Sequence, residues 1–226
     1  MAQERQYSFS DPTKTALGAK AAAWVSVATG FLFFVVLCVH YKLLFGVSLN
    51  DLALDDALLS AAKSSVARVI AFQRAQIGVM FLGFLAFLPW VYQTSENAHA
   101  LGAKDLYLAP GLAAGSYFIP LFNLYAPRIN MSETWKASVD APRWREQSGT
   151  LLVPLWWALT IAMIVGGGYL RSSGISSFLE FQRHTLLLMA YALICILQGI
   201  IVVSIVTWIT RAQVRQYATL QEATSA

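Results

Sequence analysis

The stretch LYLAPGLAAGSYFIPLFNLYAP, residues 106–127, decides the fold of this chain, because it is long and apolar enough to cross a membrane yet is built against doing so. It contains no Asp, Glu, Lys or Arg. A helix rising about 1.5 Å per residue needs about 20 such residues to cross about 30 Å of hydrocarbon. Pro110, Gly111, Gly115, Pro120 and Pro127 interrupt the stretch, and Asn123 lies close to the last two prolines. Each proline removes a backbone donor and disturbs the preceding turn, so the released carbonyls need partners that lipid does not offer. The expectation is a broken or re-entrant segment packed against other helices.

Outward from this stretch lie four further runs free of Asp, Glu, Lys and Arg: Ala21 to Tyr41, Ala75 to Ser95, Gln147 to Leu170 and His184 to Thr210. Their apolar residues go all the way round a helix, and aromatic residues such as Trp24, Trp90, Tyr92 and Trp208 stand near their ends, where headgroup anchors are expected. A hydrophobic fraction of 57% with 12% charged residues in 226 residues fits bilayer solvent better than an oversized soluble core. The reading is therefore an all-α membrane protein: four transmembrane helices arranged as two hairpins, a central broken or re-entrant segment, and interfacial amphipathic helices. Its expected organisation is a tail over 1–20, a first hairpin over 21–98, a central section over 99–146, a second hairpin over 147–212 and a tail over 213–226.

Basic residues set the orientation, since cytoplasmic loops are enriched in Lys and Arg. With four spans and the N-terminus inside, Arg5, Lys14, Lys20, Lys104, Arg128, Lys136, Arg143, Arg145, Arg211 and Arg215 put ten of the sixteen Lys and Arg on the inner side. Five spans with the N-terminus outside give the same division, and the prolines favour four. The chain is expected in a bacterial inner membrane, multi-pass, with both termini cytoplasmic. The net charge of +4 is dispersed between apolar runs, which reads as a topology determinant and not as a nucleic-acid surface. Cys38 and Cys195 both fall in apolar runs, so no disulfide framework is expected. The first twenty residues are polar and lack a cleavable leader pattern, so the first span is expected to serve as the insertion signal.

Two stretches have helical amphipathic spacing. Over 50–74, Leu58, Ala62, Val66, Val69 and Gln73 share a face, and the helix should run on into the second span. Over Pro127 to Val139, a proline suited to a first helical turn precedes Met131, Trp135 and Val139 on one face, expected at the interface or against the bundle. Trp144, between Arg143 and Arg145, reads as another interfacial anchor. A faint repeat places FQR at 72–74 and 181–183 before the second and last spans, each closed by a Trp followed by Val or Ile.

The segment from Trp90 to Trp135 carries the most specific pattern. It runs from a Trp at a span end through Asn97, Leu101 and Gly102, then Pro110 and Gly111, then Phe118, Pro120, Asn123, Leu124 and Pro127, to Glu133 and Trp135. In this it resembles the bacterial family known as domain of unknown function 4328, and the resemblance implies a multi-span membrane protein without implying an activity. Two positions depart from the family pattern, Gln93 and Ala126, where arginine is common. The candidate binding or structural residues are thus Trp90, Asn97, Pro110, Gly111, Pro120, Asn123, Pro127, Glu133 and Trp135.

Chemistry is hard to place on them. Asn123 could satisfy carbonyls released at Pro120 or coordinate a small ligand or cation, and Glu133 is expected to pair with Lys136. His40 and His184 stand near the outer ends of spans without a shared-face spacing, so interfacial hydrogen bonding is the expectation. Gly166, Gly167 and Gly168 read as packing residues inside a span. No phosphate-cradling loop, metal-ligand spacing or nucleophile motif occurs. The expectations are no catalytic residues, no metal and no cofactor; an accessory or scaffold role in the lipid bilayer, with another membrane or cytoplasmic protein as partner and no nucleic acid; and, as the alternative, a small-solute or ion transporter or channel with its site near Pro120 and Asn123.

Overall fold

The computed structural model describes residues 7–45, 55–172 and 178–225, and the side chains of all of these except 171, 172, 178, 179 and 181. It is helical, with no strand among the described residues. Its α-helices are α1 (Thr13–Leu44), α2 (Asp56–Ala100), α3 (Pro110–Gly115), α4 (Ala126–Val139), α5 (Leu152–Ser172) and α6 (Phe178–Ser225). Of these, α1, α2, α5 and α6 are long and apolar enough to cross a membrane, so the chain is a multi-pass membrane protein. Phe31, Leu32, Phe81, Leu82, Ile164 and Val165 on these helices are all more than half exposed, which only an apolar solvent tolerates at such density.

Helix α1 begins at Thr13, within the stretch 1–20 assigned to a tail. Asp11 explains the start: its carboxylate accepts the Thr13 amide at 2.9 Å and the Thr13 hydroxyl at 2.5 Å, satisfying an N-terminal donor. These bonds hold the Asp11 carboxyl below the ordinary aspartate range. Asp55 does the same for α2, accepting the Leu58 amide at 3.0 Å. As expected, the amphipathic stretch and the second span form one continuous helix; residues 50–54 of that stretch lie outside the described residues.

The Asn-Ala-x-x-Leu-Gly turn has a physical explanation in the end of α2. Ala103 N–H reaches Ala98 O at 3.1 Å and Gly102 N–H reaches His99 O at 3.0 Å, with Gly102 at φ +102°. This is the paired-bond helix stop that places a left-handed residue just past the last turn, where glycine alone is unstrained.

The chain divides into two compact units. The second comprises the described residues within Ala23–Leu82 and Leu159–Ile200 and is sealed by Phe33, Leu37, Val69, Leu170, Leu188 and Ala192. Polar side chains also meet within it: His40 Nδ1 lies 2.8 Å from Ser65 Oγ, and Gln198 donates to Thr160 at 2.6 Å. His184 Nε2 lies 3.1 Å from Leu170 O. Gly166 and Gly167 pack against the Tyr191 ring as expected of small residues, whereas Gly168 meets nothing within 4 Å. Gly199 is the tightest approach: a Cβ there would stand 2.5 Å from a Val27 methyl and 3.2 Å from Ala23 O.

The first unit holds the described residues within Met1–Ala22, Gly83–Ala158 and Ile201–Ala226, and it contains every residue of the family-like pattern.

Candidate functional site

Residues 106–127 do not form a spanning helix. Pro110 opens the short α3 at its first position, a single 3-10 turn follows at Ser116–Phe118, and the chain then reverses at Leu121. Leu121 has φ +62° with Phe122 N–H on Pro120 O at 2.7 Å, a three-residue turn that strains a leucine. A second 3-10 turn, Phe122–Leu124, leads to α4, with Pro127 in its first turn.

The donor for one of its carbonyls comes from another helix: Trp157 Nε1–H of α5 reaches Leu124 O at 2.7 Å. Aromatic packing fixes the far end of the excursion. Tyr117 and Phe118 lie edge-on to Phe84 of α2, with centroids at 5.7 and 5.6 Å, and Tyr117 meets Phe87 at 6.4 Å. The Tyr117 hydroxyl is buried there with no hydrogen-bond partner among the described residues. Asn123 is half-buried, its backbone amide bonded to Ile119 O at 2.9 Å. Gly111 and Pro120 are exposed and Pro110 and Pro127 buried.

Glu133 does not pair with Lys136 as expected. Its carboxylate accepts the Tyr107 amide at 2.7 Å, tying α4 to the chain entering the broken segment. Burial pushes the Glu133 carboxyl above the ordinary glutamate range, against the opposing pull of that hydrogen bond and of the Arg145 and Lys136 charges. Trp135 stacks flat on Trp208 of α6, centroids 3.7 Å apart and planes within 7°. Met131 and Trp135 are buried while Val139, on the same expected face, is exposed; the buried face of α4 also carries the small polar Asn130, Thr134 and Ser138. Trp144 is buried too, donating to Lys104 O at 2.9 Å, so it is a structural pin and not an interfacial anchor.

Trp90 and Asn97 lie in a buried polar network. Trp90 Nε1–H donates to Thr210 Oγ1 at 3.0 Å. Asn97, fully buried, uses its whole amide: Oδ1 accepts the Ser10 amide at 3.0 Å, and Nδ2 donates to Ser10 O at 2.8 Å and Gln213 Oε1 at 3.2 Å. Gln213 Nε2 in turn donates to Thr94 O at 2.8 Å. Gln93, at one of the two positions that depart from the family pattern, donates to Ser10 Oγ at 2.8 Å and Asp11 O at 3.1 Å and accepts from the Thr15 hydroxyl at 2.6 Å.

Residues 7–12 thus form a strap. Its Tyr7 stacks on His99 at 4.5 Å and its Phe9 on Tyr217 at 4.0 Å. Ser10, Thr94, Thr210, Gln213 and Trp157 were not singled out from the sequence. Only Trp157 carried a signal, since a buried indole needs an acceptor and the broken segment supplies free ones.

The family model described as a domain of unknown function, DUF4328, matches residues 52–211. The chain belongs to the DUF4328 family. That match covers α2 through most of α6; the strap and α1 precede it, and Gln213 follows it. No curated protein and no solved structure matches the chain. Within the DUF4328 region, the pattern residues fall into three groups: Trp90 and Asn97 in the polar network, Leu101 and Gly102 at the stop of α2, and Pro110 to Trp135 in the broken segment and α4. Among the described residues, no cluster of three or more His, Cys, Asp or Glu could hold a metal.

Proposed function

We propose that this DUF4328 protein is a non-enzymatic accessory or scaffold protein of a bacterial inner membrane, with both termini cytoplasmic, whose first unit presents a fixed surface to a membrane or cytoplasmic partner. The observation that carries the reading is how the pattern's polar groups are used. Asn97, Trp90 and Glu133 each bind another part of the same unit, so the pattern builds a rigid platform. Residues 106–127 act as a re-entrant segment. Phe84, the contact of Tyr117 and Phe118, stands twelve residues before Glu96, about 18 Å along α2 and near mid-bilayer. The orientation is supported by the ten Lys and Arg of the tails and central section.

Native purification from membranes with mass spectrometry of retained proteins tests this: one protein should co-purify reproducibly at fixed stoichiometry, and a bare monomer would defeat the reading. A reporter fused after Lys136 should give a cytoplasmic signal.

The buried, unpartnered Tyr117 hydroxyl favours one second reading, a small-solute or ion pathway at the broken segment with Asn123 as a polar ligand. Proteoliposome flux that falls in both Asn123→Ala and Tyr117→Phe would support it, and flux unchanged in both would remove it.

A further inference from the structure

Where α6 leaves its apolar run, its first basic side chains flank two grooves of the first unit. The larger, about 820 Å³, runs between the end of α4 and α6; Val139, Val203 and Trp208 are among its apolar lining, and Arg211 and Arg215 are among its polar lining. The smaller, about 290 Å³, lies between α1 and α6 and is lined by Thr13, Lys20 and Thr207 together with the same two arginines. Thr207, Arg211 and Arg215 follow one another at four-residue spacing and therefore form a single stripe on the helix. Trp208 marks the headgroup level, and its ring is held by the stack on Trp135.

The charges here differ from those nearby in the same unit. Arg143 pairs with Asp140 at 2.8 Å and Arg145 with Asp105 at 3.4 Å. Among the described residues, Arg211, Arg215 and Lys20 have no carboxylate within salt-bridge distance. Arg211 and Arg215, guanidiniums able to grip a phosphate with paired N–H groups, line the larger groove together with the apolar Val203 and Trp208, and Lys20 joins them only in the smaller groove. A soluble anion would leave that apolar floor empty, whereas a lipid fills both parts.

We infer that this surface binds an anionic glycerophospholipid in the larger groove, its phosphate and headgroup on Arg211 and Arg215 and an acyl chain along Val203 and Trp208. This deepens the scaffold reading by naming the lipid side of its surface. It can fail separately, because the test below involves no protein partner.

Full-length protein is incorporated into phosphatidylcholine vesicles with phosphatidylglycerol as the minor component, then released and examined by native mass spectrometry for retained lipid. The expected result is enrichment of phosphatidylglycerol by about tenfold or more, as two cations near an anionic headgroup provide, falling to the bulk ratio in Arg211→Gln/Arg215→Gln. The control Arg143→Gln/Arg145→Gln removes the same charge from paired residues and should leave enrichment intact. Circular dichroism and size-exclusion profiles matching the unsubstituted protein qualify each variant; if the Gln pair misfolds, Arg211→Lys/Arg215→Lys replaces it, with enrichment expected to fall because the paired donors are lost. Enrichment unchanged in a folded Arg211/Arg215 variant, equal loss in the control pair, or displacement of the lipid by inorganic phosphate would each overturn the inference.

Discussion

Around Phe33 and Leu37 the second unit is closed by apolar contact among Val69, Leu170, Leu188 and Ala192. Around Asn97 the first unit adds polar closure to its apolar cluster, linking residues of the strap, α2 and α6 through one shared set of amides. The difference follows from what each must hold. Regular helices satisfy their own backbone and need only close packing, for which Gly199 and Gly167 provide room. A strap without regular structure and a broken segment carry unsatisfied backbone groups, and only side-chain donors and acceptors from other elements can supply them.

The comparison can be broken by removing the network's centre. Asn97→Leu keeps the branched outline of the side chain and deletes three hydrogen bonds, and should cost about 3 kcal/mol of stability in detergent-solubilised protein. Faster protease cleavage of the strap should accompany the loss; an unchanged melting temperature would mean that the network contributes little.

Size should govern the second unit instead. Gly199→Ala should destabilise by about 2 kcal/mol because the new methyl meets Val27, and adding Val27→Ala should recover much of that loss. Failure of the second substitution to rescue the first would place the strain elsewhere.

A smaller effect, about 1.5 kcal/mol, is expected for Trp157→Phe, which keeps an aromatic ring, trims the buried indole and deletes the donor to Leu124 O. Hydrogen exchange should quicken across 122–126 and not in the second unit.

The smallest effect is a pH dependence. With its folded-state pKa raised by burial, Glu133 favours the fold most when protonated, and that contribution is lost as pH rises through the folded value. Glu133→Gln can still accept the Tyr107 amide, so its melting temperature should lack this component of the decline above the ordinary glutamate range and match or exceed the unsubstituted protein's at pH 7.

Much of the backbone was legible beforehand. Long apolar runs announced α1, α2, α5 and α6, the prolines announced the break between Pro110 and Pro127, and Pro127 announced the start of α4 within a residue. The stop of α2 is also written locally, in Leu101 and Gly102. The side-chain assignments were less accessible. Glu133 had a basic neighbour at helical spacing and bonded to Tyr107 instead; Trp144 had two flanking arginines and went inward. The two tryptophans that close the FQR repeat sit in different surroundings, Trp90 fully buried and Trp208 stacked on Trp135 near the surface.

What the sequence determined by itself was therefore whatever depends on neighbours along the chain: hydrocarbon length, proline breaks and the glycine helix stop, each set by a residue's own backbone and its local turn. What only the tertiary structure decided was which donor meets which acceptor: Ser10 with Asn97, Tyr107 with Glu133, Leu124 with Trp157. A buried polar group takes whatever partner packing brings within about 3 Å, and packing is a property of elements far apart in the chain.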